Sequence, residues 1–174
     1  MRKGLGHTCK VLVAAMLGGC ASVPKGLQPV ADFQVDRYLG TWYEIARLDH
    51  SFERGLTKVT AEYSTRDDGS IQVVNRRYDA QREKWRESRA IARFVGPPDV
   101  ASLKVTFFWP FSGGYHVIAL DREGYTYAMV TSSSRSYLWI LARQKTLEPA
   151  VRDDLLGKAK EWGFRVEDLI FVEQ

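Results

Sequence analysis

From Tyr38 onward the chain breaks into short runs of β-branched and aromatic residues in which apolar and polar positions alternate. Eight such runs stand out: Trp42–Asp49, Lys58–Thr65, Ile71–Asp79, Trp85–Val95, Ser102–Phe108, Tyr115–Arg122, Tyr125–Ser132 and Tyr137–Arg143. Turn chemistry separates most of them. Asp68-Gly69 reads as a hairpin turn, and Gly96-Pro97-Pro98-Asp99, Pro110 to Gly114 and Ser132-Ser133-Ser134 are further breaks. After the eighth run the period changes. Leu147, Val151, Leu155, Ala159 and Trp162 recur every three to four residues, which predicts an amphipathic helix. Thr146 is its expected N-cap, Pro149 falls in the first turn, and Gly163 ends it. A last short strand is expected at Leu169–Val172. Eight strands joined in succession and one late helix predict an all-β fold. It is an eight-stranded antiparallel up-and-down β-barrel with one C-terminal α-helix packed outside. A β-sandwich of similar strand count is the alternative.

The first twenty residues follow a different pattern. Arg2, Lys3 and Lys10 accompany an apolar run from Val11 to Leu17, then Gly18, Gly19 and Cys20, with no acid. Basic, apolar, then small is the layout of a secretory signal. Leu17-Gly18-Gly19-Cys20 looks like a bacterial lipobox, in which the Cys20 thiol receives a diacylglyceryl group and becomes the first mature residue. A plain signal followed by an incidental cysteine, or a short buried helix, are the alternatives. Ala21 and Ser22 after the cysteine resemble an outer-membrane sorting signal. The expected organisation is a signal peptide over residues 1–19, a lipidated N-terminus and tether over 20–36 that docks near its end, and a barrel with its helix over 37–174.

Removal of the leader changes the charge. The chain carries 25 basic and 21 acidic residues, a net +4. The leader takes three basic residues and no acid, leaving 22 against 21 and a net +1. A basic nucleic-acid-binding domain is therefore not supported. Cys9 leaves with the leader and Cys20 is expected to be acylated, so the folded domain has no thiol for a disulfide, a metal or catalysis. No cofactor and no metal-ligand spacing is read. No run reaches the roughly 18 to 20 apolar residues of a membrane-spanning helix.

Three segments then carry a resemblance. Gly40-Thr41-Trp42-Tyr43-Glu44-Ile45-Ala46-Arg47 opens the first strand. Asp121 ends the sixth, with Tyr125 after the turn. Tyr137-Leu138-Trp139-Ile140-Leu141-Ala142-Arg143 forms the eighth, about a hundred residues after Trp42 and just before the helix. Over residues 33 to 174 the chain resembles the lipocalin family, most closely its bacterial outer-membrane lipoproteins and apolipoprotein D. One departure is that Leu120-Asp121-Arg122 stands where Thr-Asp-Tyr is usual in the family. The resemblance implies that Gly40, Trp42 and Arg143 are scaffold. Trp42 closes the barrel base and the Arg143 guanidinium lies across its indole, worth about 1 to 2 kcal/mol when desolvated.

Strand parity then places the interior. With Arg143 inward at the base, Leu141, Trp139 and Tyr137 share its face, and Trp139 is a pocket wall; an outward Trp139 under the helix is the alternative. Trp42, Glu44 and Ala46 share a face, so Glu44 is an interior carboxylate that needs a partner. Family-like registers place Ile71, Val73, Asn75 and Arg77 inside, with Val59, Ala61, Tyr63, Leu103, Val105 and Phe107. One of Tyr115 and His116 faces the cavity. The expected ligand-binding set is Trp139, Tyr63, Asn75, Arg77, Phe107, Tyr115 and His116, with an outward Arg77 as the alternative for that residue. Such a cavity is apolar below and polar above, as an acyl chain with an anionic or zwitterionic head requires.

Three functions compete. The first is a non-enzymatic carrier or store of fatty acids such as palmitate, or of lysophospholipids, in the periplasm. It would be anchored to the outer membrane through Cys20 and serve membrane maintenance. The second is an enzyme on the same barrel, using Glu44 or a His116–Ser pair, although no nucleophile-elbow sequence supports it. The third is a structural lipoprotein with a filled interior, against which Ala61, Ala90, Ala92 and Ala119 argue. Phe108, Trp109 and Phe111 around Pro110 could touch membrane, ligand or a second subunit, or pack as an ordinary loop. A homodimer is compatible with the sequence, but no apolar stripe demands one.

Overall fold

Among the described residues nine strands form one antiparallel sheet, and eight of them close on themselves. The structure is a computed structural model that describes residues 21–51, 53–108 and 111–174, the side chains of Phe108 and Phe111 apart. Residues 1–20, where the leader and Cys20 are expected, and Trp109 and Pro110 lie outside the described residues. The strands are β1 (Gly40–Leu48), β2 (Leu56–Thr65), β3 (Ile71–Asp79), β4 (Lys84–Phe94), β5 (Ser102–Phe108), β6 (Phe111–Leu120), β7 (Tyr127–Thr131), β8 (Leu138–Ala142) and β9 (Leu169–Phe171). They pair in chain order from β2 to β8. β8 pairs with β1, and β1 with β2, which closes the barrel and removes the edges.

β1 bends to serve three neighbours. Its first half pairs with β2, from Gly40 opposite Tyr63 to Tyr43 opposite Thr60. Its second half, Ala46–Leu48, pairs with β9 outside the barrel. The register against β8 shifts between Glu44 and Ala46. An extra residue in a strand reverses the facing of everything beyond it. Ala46, expected on the inner face with Trp42 and Glu44, therefore packs outward with Ile45 and Leu48 beneath the helix. Arg47 takes the inner position.

Side chains sort into two apolar cores. One fills the lower barrel, with Trp42, Val73, Ala90, Ala92 and Leu103. The other lies outside the wall, where α2 (Pro149–Glu161) buries Leu155 and Ala159 against Ile45, Met129 and Ile140. Ala119 belongs to this outer core, whereas Ala61 packs with the inner one. The helix starts two residues later than Thr146 implies. Glu148 is its N-cap, with no side-chain bond, and Pro149 follows at the first position. Proline fixes the helical φ there and lacks only a donor that has no partner.

The base is closed as the resemblance implies. Trp42 is fully buried, and its Nε1 donates to the Tyr38 carbonyl at 2.8 Å. The Arg143 guanidinium lies 4.0 Å from the centre of the Trp42 ring. It also donates to the carbonyls of Thr41 at 2.9 Å and Arg37 at 2.8 Å. Gly40, with φ +90°, begins β1 where the Arg143 Nη1 would stand 3.5 Å from any Cβ. The departure after β6 is a turn organised by Asp121. Its carboxylate accepts from the amides of Glu123, Gly124 and Thr126 and from the Thr126 hydroxyl. The turn returns Tyr125 to the base, where its hydroxyl accepts from the Gln34 amide at 3.0 Å.

Docking of the N-terminal segment begins earlier than a tether requires. Leu27, Val30 and Phe33 are buried. The Val30 amide donates to the Val117 carbonyl at 2.8 Å, and the Val30 carbonyl accepts from Ala101 at 2.9 Å. Apolar residues at intervals of three seal the wall here, and the four-residue turn α1 (Val35–Tyr38) leads on into β1.

Candidate functional site

A cavity of about 430 Å³ opens at the end of the barrel opposite Trp42. That is roughly three times a cavity that holds benzene. Ala61, Val73, Val105 and Leu141 form its apolar wall, and Tyr63, Tyr115, Tyr137 and Trp139 its aromatic one. Tyr63 and Tyr115 floor it, with Tyr38 packed behind them. The Tyr115 hydroxyl bonds to Tyr38 at 2.7 Å and to Tyr63 at 2.8 Å. Burial raises all three phenols above their ordinary range, so the floor is uncharged. At the rim, Ser112, Gly113, Ser132 and Ser133 supply small polar groups.

Of the expected set, Trp139, Tyr63, Asn75, Phe107 and Tyr115 line this cavity. Phe107 does so from the rim, 48% exposed. Arg77 has the expected parity but turns aside. Its Nη1 donates to Ser88 Oγ at 2.7 Å, and it is not among the lining side chains. His116 is the clear correction. β6 begins at Phe111, so residues expected in a turn are strand, and alternation puts Tyr115 inside and His116 outside. His116 is fully buried against the N-terminal segment, and burial lowers its pKa. Its Nδ1 shares a 3.0 Å hydrogen bond with Ser102 Oγ. A serine–histidine pair therefore exists, but on the far side of the wall from the cavity. Gly114 makes room for it, because a Cβ there would stand 2.6 Å from His116 Nε2.

Two carboxyl groups, both raised by burial, reach the lining. Glu44 and Glu53 both face the cavity. Glu44 Oε1 accepts from Arg47 Nη1 at 2.6 Å. Arg47 Nη2 reaches the carbonyls of Glu53 at 2.7 Å and Leu56 at 3.2 Å, tying down the β1–β2 loop. Glu53 Oε2 accepts from Trp139 Nε1 at 3.1 Å. His50 packs on the rings of Tyr137 and Trp139, with centroids 5.5 Å and 5.3 Å away. Burial, then the Arg47 charge, lowers its pKa to about 4, so it is neutral at pH 7. Neither Arg47 nor Glu53 was legible as a site residue. The bulge hides the first and a loop without parity holds the second.

Burial first, then the neighbouring Glu53, pushes Glu44 up to about 8 against the pull of Arg47. A carboxyl raised by folding contributes stability that is complete below its unfolded value, near 4.5, and lost as pH rises through its folded value. Thermal melts of the wild type are therefore expected to fall between pH 5 and pH 9. Glu44→Gln should flatten that fall. An equal pH slope in the two proteins would show that Glu44 is not the group responsible.

Comparison with known proteins agrees with this geometry. A family model described as "Lipocalin-like domain" matches residues 33–174. Outer membrane lipoprotein Blc of Citrobacter freundii is 52% identical over 166 residues, covering 94% of this chain and 93% of the relative. The protein of the same name from Vibrio cholerae is 48% identical over 164 residues, covering 94% and 96%. Apolipoprotein D of Bos taurus is 35% identical over 152 residues, covering 82% and 78%. Among solved structures, the cockroach allergen Per a 4 superposes with a TM-score of 0.69 at 18% identity, covering 90% of this chain and 96% of that one. Insecticyanin of Manduca sexta gives 0.67 at 20% identity, covering 89% and 87%. The matched barrel, its Trp42–Arg143 closure and these relatives make the chain a member of the lipocalin family.

Proposed function

We propose that the protein is an outer-membrane-anchored lipocalin that holds a single-chain lipid, a fatty acid or lysophospholipid, in its cavity for membrane maintenance. The open, largely apolar cavity carries this reading. Each buried methylene contributes about 0.8 kcal/mol, so a sixteen-carbon chain offers on the order of 10 kcal/mol before ordering costs are subtracted. Chain length should therefore govern affinity more than the headgroup does. The headgroup preference follows from the lining. Glu44 and Glu53 face the cavity while Arg77 is engaged by Ser88. Burial raises both carboxyls toward their neutral forms and the described lining holds no Lys or Arg, so nothing there compensates an anionic head, which supports a zwitterionic lysophospholipid over a free carboxylate. Cys20 is the proposed acylation site, in keeping with relatives whose names are outer membrane lipoproteins.

The test is a titration of lipids of increasing chain length, followed by tryptophan fluorescence. Affinity is expected to rise up to about tenfold per two methylenes, then level off as the cavity fills. Gly113 supplies the control. A Cβ there meets only Ser132 Oγ, at 3.7 Å, and the position lines the rim. Gly113→Phe should block the cavity without unfolding the barrel, and weaken binding by about a hundredfold or more. Affinity independent of chain length, or unchanged in Gly113→Phe, would place any bound lipid elsewhere.

A further inference from the structure

We propose that the cavity mouth faces, at contact distance, the lipid surface that anchors the chain, so that a ligand passes between bilayer and barrel across the rim. The proposal rests on the acylation of Cys20 put forward above. Three observations carry it.

The first is where the described chain begins. The Ala21 Cα lies 3.4 Å from where a Cβ on Gly114 would stand. Gly114 and Ser133 line the cavity. Ala21 thus sits against the outer side of the cavity rim. Cys20 is one peptide bond away, and consecutive Cα atoms are about 3.8 Å apart.

The second is that no slack separates anchor from barrel. Arg135, in the rim loop between β7 and β8, donates to the Lys25 carbonyl at 2.8 Å and to the Trp162 carbonyl at 2.5 Å. Leu27 is buried just beyond, and Val30 is bonded to both Ala101 and Val117. A flexible tether would let the barrel tumble. A segment fixed from Ala21 onward lets the anchor set the orientation.

The third is the distribution of exposed apolar side chains. Among the described residues, the large ones are Trp85, Phe107, Ile170 and Phe171, with Val95. Trp85 and Phe107 stand at the mouth ends of β4 and β5. Ile170 and Phe171 stand on β9, beside the mouth half of β1. Only Val95 is at the closed end. Exposed Lys84 stands beside Trp85. An aromatic rim with a cation suits the interface of a bilayer rather than open water.

The experiment uses the full-length lipidated protein in vesicles of phosphatidylethanolamine and phosphatidylglycerol. Trp85→Cys and Val95→Cys replace side chains of similar exposure, 60% and 55%, at the two ends. With Cys20 acylated, each variant has one free thiol for a fluorescent label. The rim label is expected to be quenched severalfold more by a lipid-borne quencher than the label at residue 95, and severalfold less by aqueous iodide. A flexible ten-residue Gly/Ser insertion between Ala21 and Ser22 should abolish that contrast. Hydrogen exchange of the wild type supplies the same readout without labels, as vesicle-dependent protection of residues 80–83 and 132–137. Equal quenching at the two ends, or the reverse contrast, overturns the proposal. So does a rim shielded from iodide but untouched by the lipid quencher, which would mean that a second copy covers it. If mass spectrometry of the N-terminal peptide finds no acyl chains, the anchoring reading falls and this proposal with it. If the chains are present and the contrast is absent, only the orientation fails.

Discussion

Replacing Trp42 with alanine is expected to lower folding stability by about 3 to 5 kcal/mol, which is much of what a small domain possesses. The indole is wholly buried at the base. Its ring packs 4.6 Å from that of Tyr38, and its Nε1 satisfies the Tyr38 carbonyl. Above all, it is the surface on which the Arg143 guanidinium rests. Truncation leaves a cavity that a closed barrel cannot collapse around, and it strips one face from a partly buried cation. Arg143 would keep its bonds to Thr41 and Arg37 but open the base to water. Trp42→Phe retains a ring and loses the indole donor, so about 1 to 2 kcal/mol is expected for it. Urea unfolding with a common slope measures both. A loss below about 1 kcal/mol for the alanine variant would mean that the base is held by other contacts.

Removing the Arg47 side chain should be comparably damaging, by about 3 to 5 kcal/mol, for an electrostatic reason. The guanidinium is almost wholly buried and bonded to Glu44 and to the carbonyls of Glu53 and Leu56. Arg47→Met fills similar volume but leaves Glu44 facing an apolar cavity without its cation. The damage therefore depends on pH. Near pH 5 Glu44 is protonated and the loss should be smaller. Above about pH 8 the carboxylate is forced to ionise, or the fold must keep it protonated, and the loss should be largest. Glu44→Gln combined with Arg47→Met should recover part of the single-variant loss, since no buried charge then lacks a partner. A loss independent of pH and unaffected by Glu44→Gln would make Arg47 a packing residue. The loop between β1 and β2 should also loosen in Arg47→Met, because both of its carbonyl anchors vanish together.

The barrel itself was legible because its information is local and repeated. Alternation gave the strand ends to within a few residues. The pairing of an early Gly-x-Trp with an Arg before a helix named the closure. The parity of Val73 and Asn75 held because β3 runs without a bulge along β4. Where alternation was interrupted, sequence reasoning failed for that reason. The shift between Glu44 and Ala46 turned Ala46 out and Arg47 in, and no residue type marks it. The two glycines of β6 read as a turn in the sequence, which starts the strand too late and leaves the facing of His116 open. Gly114 is glycine because the His116 ring and Ala21 crowd it, which only the packed N-terminal segment reveals. Glu53 stands in a loop, where no periodicity applies. Arg77 shows a further limit, because parity states which way a side chain leaves the strand and not what it then finds, here Ser88.

Native mass spectrometry of residues 21–174, produced without residues 1–20, tests the central claim most directly. A barrel that carries one single-chain lipid should retain it through purification or take it up on incubation. The expected spectrum shows a single added mass of a fatty acid or lysophospholipid, and Gly113→Phe should remain at its bare chain mass. A wild-type protein that stays bare after incubation with both lipid classes would contradict the carrier reading. It would leave the barrel a structural lipoprotein with an unused cavity.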